Sequence, residues 1–186
     1  MGDGSTVTIT VRDTSKINIK GLTAAGGCIG VAGNENNLRF KRNSFNIYIT
    51  LASSDSQLNI EATGDGAGAG GVIGLNYDMF GRKKDNGTVG LTSSDGKFTV
   101  KATGASGYAG AIIGINYGEF TAVTGRNYKI NITTLLDSRT LSDPSSTTAP
   151  AGYTKPGEDW LIGRRAPGSS ASSFKYSING NPEYTM

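Results

Sequence analysis

Histidine is absent from the 186 residues. Its absence removes the commonest general base and the commonest metal ligand together. A single cysteine, Cys28, excludes an internal disulfide and any multi-cysteine zinc site. No apolar run approaches the roughly 20 residues that a membrane helix needs. Charged residues make up 18% and the net charge is +3, too little to argue for nucleic acid on charge alone. Helix formers never recur at a spacing of 3.6 over a useful length, so long helices are not expected. The opening MGDGSTVTIT has neither the basic start nor the apolar core of a signal peptide. Either the protein is not secreted by that route, or the chain is expected to be a segment excised from a larger secreted protein.

Glycine is abundant, with 28 residues and no three-residue period, which excludes collagen. Much of the remainder is Ser, Thr and Asn, a balance that suits strands and turns. The chain also repeats. ITLASSDSQLNIEATGDGAGAGGVIGLNYDMF (49–80) lies over VGLTSSDGKFTVKATGASGYAGAIIGINYGEF (89–120) without a gap, so that Leu51, Asp55, Gly64, Gly70, Ile73, Gly74, Asn76, Tyr77 and Phe80 recur forty places on. A looser copy, VTITVRDTSKINIKGLTAAGGCIGVAGN, precedes them, and a half copy, YKINITTLLDSRTL, follows. Three and a half units of about forty residues therefore occupy 1–141. Residues 142–186, which open with SDPSSTTAPAGYTKPGED, read as a Pro/Gly/Ser-rich linker and a C-terminal cap around Trp160.

Each unit reads in the same order. An alternating segment such as Val7-Thr8-Ile9-Thr10-Val11 predicts a half-buried strand. A polar turn (RDTS, SSDS, SSDG) leads to a second such strand, marked by Ile17/Ile19, Leu58/Ile60 and Phe98/Val100. A glycine arm and a denser apolar run follow: Cys28-Ile29-Gly30-Val31, Val72-Ile73-Gly74-Leu75 and Ile112-Ile113-Gly114-Ile115. Successive side chains on a strand point to opposite faces, so this third strand is expected to be covered on both. One such unit cannot bury its own apolar face, whereas stacked copies share a core. An all-β repeat protein is expected, built as a right-handed β-solenoid, with a pseudo-threefold β-prism or β-trefoil as the alternative. The trailing half copy favours the open stack, since a closed threefold ring has no place for it.

The second glycine arm spells G-x-G-x-x-G at Gly66, Gly68 and Gly71. A dinucleotide site needs a long helix after those glycines. None is expected after Gly71, and the twin arm GASGYAGAI loses the pattern, so the glycines read as architecture.

The runs AGGVIGLNYD, AGAIIGINYG and GGCIGVAGN resemble the GLUG motif, usually written around G-G-L-V-G-x-N-x-G, and the preceding LNIEATGDG and FTVKATGAS resemble the strand and arm that lead into it. Ala111 and Asp78 stand where that motif has glycine. The resemblance implies a repeat region of a bacterial surface or adhesin-like protein, stacked as a right-handed β-solenoid.

Basic residues follow each apolar strand: Arg39, Lys41 and Arg42; Arg82, Lys83 and Lys84; Arg126 and Lys129. They read either as a basic stripe for anionic ligands or as loop charges that keep β edges from pairing. Tyr77 and Tyr117, with Asn76 and Asn116, read either as a row that holds sugar rings or as a ladder that joins neighbouring units. Cys28 falls where Val72 and Ile112 sit in the other units and reads as a small core residue. Glu158-Asp159 is a poor acid–base pair, because neighbours on a strand point apart. No serine has a histidine base, no acidic spacing suits a metal, and no cofactor is implied. The expected protein is a non-enzymatic extracellular module of a bacterial cell-surface adhesin, binding a host or bacterial surface glycan or protein along a solenoid face. Alternatives are a lectin-like glycan-binding domain and a structural fibre or virion subunit that self-associates through its ends.

Overall fold

A computed structural model describes residues 5–33, 41–42, 45–77, 79–80, 88–93, 97–121, 129–133, 161–167, 169–172, 175–178 and 184–185. The described residues contain strands and no helix. The first unit supplies β1 (Ser5–Val11), β2 (Lys16–Gly21), β3 (Ala24–Gly26), β4 (Ile29–Ala32) and β5 (Lys41–Arg42). The second supplies β6 (Phe45–Leu51), β7 (Gln57–Ala62), β8 (Gly68–Gly70), β9 (Ile73–Asn76) and β10 (Met79–Phe80). The third supplies β11 (Thr88–Ser93), β12 (Lys97–Ala102), β13 (Tyr108–Gly110), β14 (Ile113–Asn116) and β15 (Glu119–Thr121). Then follow β16 (Lys129–Thr133), β17 (Ile162–Arg165), β18 (Ser170–Ser172), β19 (Lys175–Ile178) and β20 (Tyr184–Thr185).

The described strands form five small sheets, and each collects the corresponding strand of successive units. Their orders are β1-β6-β11-β16-β19-β20, β2-β7-β12, β3-β8-β13, β4-β9-β14-β17 and β5-β10-β15-β18. Every pairing is parallel except the last, where β20 runs antiparallel to β19. Among the described residues no sheet closes on itself. Parallel pairing in register sets like side chains beside like: Ile29, Ile73, Ile113 and Ile162 form one row, and Ile17, Leu58 and Phe98 another.

The rows facing inward make one core. Ile47, Leu58, Ile60, Ile73, Phe98, Val100, Ile112 and Ile113 are each no more than 1% exposed. Full burial of a side chain of this size contributes about 1.5–3 kcal/mol. The third strand is covered on both faces in β9 and β14, where every residue is buried, as its unbroken apolar run predicts. It is not so covered in β4, where Gly30 and Val31 are exposed.

Two features differ from the sequence reading. The ungapped overlay sets Leu51 on Leu91, but β6 and β11 pair with Ile47 beside Val89 and Leu51 beside Ser93. The connection 94–96 is two residues shorter than its counterpart 52–56, and the strand absorbs the difference. A slip of two keeps every side chain on its face, so the inward row survives. The half unit also does not stop. After β16, Leu161-Ile162-Gly163 supplies the third strand again, with Ile162 beside Ile113, and β18 and β19 extend two further sheets. Tyr176 and Ile178 of β19 sit beside Ile130 and Ile132.

Candidate functional site

Glycines of the arm and of the third strands are close-packed: a Cβ on Gly68 would lie 2.6 Å from the Gly74 carbonyl oxygen. A Cβ on Gly74 would lie 2.6 Å from the Gly30 carbonyl oxygen and 2.8 Å from the Ala25 nitrogen, both backbone atoms. On Gly114 it would lie 2.5 Å from the Ala69 nitrogen. β9 thus rests directly on β3 and β14 on β8, and only glycine fits where those backbones meet. Gly66 does use a left-handed backbone, φ 65°, but β8 and β9 follow it, with no helix. The phosphate-loop geometry is not there.

Two equivalent positions form ladders between units. Tyr77 and Tyr117 stack with ring centroids 4.7 Å apart and planes 7° from parallel. Beneath them, Asn76 Nδ2 donates to Asn116 Oδ1 at 2.7 Å, with both side chains fully buried. A buried amide must be hydrogen-bonded or it costs stability, and a neighbouring unit with the same residue supplies the partner. Both tyrosines are half-buried and accompany this amide ladder. In the next unit Arg165 falls beside Asn116, while the Arg164 guanidinium lies 5.0 Å from the centre of the Tyr108 ring.

The candidate basic residues fare differently. Lys41 and Arg42 form β5 and sit beside Met79 and Phe80. Lys129 opens β16, in another sheet, between Thr88 and Lys175. Arg39, Arg82, Lys83, Lys84 and Arg126 lie outside the described residues, as do Glu158, Asp159 and Trp160. Cys28 takes the expected place: its amide donates to the Val72 carbonyl at 3.0 Å, in line with the Val72 amide on Ile112. Burial pushes its thiol pKa up, which keeps it protonated and unreactive. Among the described residues no group of His, Cys, Asp or Glu could hold a metal ion. None of their helices is long and apolar enough to cross a membrane, since there are none.

Among the described residues, the outer face of β2-β7-β12 carries the clearest polar arrangement, which the repeat pattern alone did not single out. Register sets Asn18, Asn59 and Thr99 in one row, and Lys20, Glu61 and Lys101 in the next. Asn59 Nδ2 donates to Asn18 Oδ1 at 3.0 Å. Glu61 receives both lysines, with Lys20 Nζ at 3.0 Å from Oε2 and Lys101 Nζ at 3.0 Å from Oε1. The hydrogen bonds from Lys101 and then Lys20 hold its carboxyl below the usual glutamate range. These six side chains line a shallow depression of about 310 Å³. The signal was in the overlay, where Glu61 lies over Lys101; alternating charge at an equivalent position marks a row of ion pairs.

Compared with known proteins, the chain matches no family model, no curated protein and no solved structure.

Proposed function

We propose that this chain is a non-enzymatic module of a bacterial surface protein, wound as a right-handed β-solenoid, that binds surface glycans or proteins along one of its faces. The observation that carries this reading is the parallel pairing of each strand with its counterpart in the next unit, in all five sheets. Such pairing leaves rows of identical or complementary side chains on the outside, a repeating surface suited to a repeating ligand. The right hand follows from the strong preference for right-handed crossovers between parallel strands of one sheet. The GLUG-like runs at Gly70–Asn76 and Gly110–Asn116 support the surface-protein class. The test is retention of the purified chain on bacterial and host cells, before and after removal of surface polysaccharide or protein. Retention lost after either treatment supports the module. No retention on any surface contradicts it.

A second reading, a structural subunit that joins end to end, draws on one observation. Ile17, Leu22 and Val31 of the first unit are 37%, 73% and 49% exposed. Sedimentation across a concentration series tests it: growth in mass with concentration supports assembly, and a constant monomer mass contradicts it.

A further inference from the structure

We infer that the outer face of β2-β7-β12 is a binding surface for an acidic polysaccharide that carries a carboxylate on every second sugar. The inference rests on the surface-module reading and names its face and ligand class. Three observations support it. The first is charge: Lys20 and Lys101 are 69% and 42% exposed and flank the depression on the first and third strands. Each ammonium has three donors and spends one on Glu61, which leaves donors for a ligand. Lys16 and Lys97 occupy the same two outer strands four residues earlier, on either side of Gln57. The cationic positions therefore lie on alternate strands, separated by about 9.6 Å across two strand spacings.

The second observation is what lies between them. Glu61 and Gln57 hold the middle strand, so an anion there would face a carboxylate. A neutral, hydroxylated sugar suits that position, because Glu61 can accept from a hydroxyl. The third is the row Asn18, Asn59, Thr99, which supplies amide and hydroxyl groups for further sugar hydroxyls. No aromatic side chain lines the depression. Binding single-stranded nucleic acid commonly uses aromatic stacking platforms, and a phosphate at every step would meet Glu61. The pattern of cation, acceptor, cation thus fits an alternating acidic glycan better than a dense polyanion. Glu61 also holds the two lysines in place, which lowers the entropy lost when they bind.

The experiment is titration calorimetry of the full chain at low salt with hyaluronan, whose carboxylates fall on every second sugar. Neutral dextran and single-stranded DNA serve as comparators. Two double variants accompany the native chain, Lys20→Gln with Lys101→Gln on the face and Arg164→Gln with Lys175→Gln on β17 and β19, in other sheets. The expected result is hyaluronan binding that weakens with added salt. It should fall at least about tenfold in the face variant, the scale of one lost charge-assisted hydrogen bond, and stay unchanged in the other. Loss in the Arg164/Lys175 variant alone, or equally in both, overturns this face but leaves the surface module standing. Tighter binding of DNA or dextran than of hyaluronan overturns the ligand class. No binding to any of the three overturns the inference, while the cell-retention test still judges the module itself.

Discussion

The first and second units have the same strand order and similar apolar positions, yet they bury them differently. Ile17 is 37% exposed where its neighbour in the row, Leu58, is 1%. Val31 is 49% exposed where Leu75 is 5%. The alternation is the same, so the difference is not in the unit. β7 and β9 have a paired strand on each side, whereas β2 and β4 are the last strands of their sheets. Burial here comes from neighbours in the stack, and a unit on its own would expose most of what the second unit hides.

That comparison can be broken position by position. The largest effect is expected in the row Ile17–Leu58. Leu58→Ala should cost about 2–5 kcal/mol, as for a fully buried leucine, and Ile17→Ala less than half of that, both read by denaturant unfolding. Equal costs would mean that the first unit is as well packed as the second. Next comes the glycine row. Gly74→Ala forces a methyl against backbone on two sides and should destabilise by about 1–3 kcal/mol. A Cβ on Gly30 meets nothing within 4 Å, so Gly30→Ala should be neutral or stabilise by up to about 1 kcal/mol through the unfolded chain. The same substitution in the same row should thus change sign.

Amides sharpen the contrast between interior and surface. Asn76→Ala removes the donor to the buried Asn116 Oδ1 and should cost about 1–3 kcal/mol. Asn59→Ala removes the exposed bond to Asn18 and should cost about 0.5 kcal/mol or less. The smallest effect is that of Glu61. Its folded pKa is lowered by Lys101 and Lys20, so the unfolded chain binds its proton more tightly. The stabilisation is fully present above the ordinary value of 4.5 and is lost as the pH falls through the lower folded value. In Glu61→Gln that part of the acid dependence should vanish, as read from unfolding midpoints across the acid range.

Much of the fold was legible in the residues. Alternation of β-branched side chains marked the first two strands of each unit, and the run Val72–Leu75 marked a strand covered on both faces. The glycines were recognisable as packing because no helical pattern followed Gly71. Two structural features were harder to read. The fourth third-strand, Leu161-Ile162-Gly163, keeps only a fragment of the pattern, ends in Arg164 and Arg165, and follows a long stretch with no alternation. The slip between β6 and β11 left no trace, because a two-residue shift preserves the face and Leu51 over Leu91 looked natural. Of the candidate site, the tyrosine and asparagine ladders were visible as equal residues forty apart. The row Lys20–Glu61–Lys101 was less visible because its members are complementary rather than alike.

The most direct test of stacking in register is a disulfide trap in a Cys28→Val background, a replacement that matches Val72 in the same row. Asn59→Cys with Thr99→Cys places two cysteine Cα atoms on adjacent paired strands, about 4.8 Å apart and inside the roughly 4.4–6.8 Å Cα–Cα window for a disulfide. Asn18→Cys with Thr99→Cys spans two strands, about 9.6 Å, and falls outside it. The account predicts rapid intramolecular closure of the first pair and none of the second. Failure of the first pair, or equal closure of both, would contradict it.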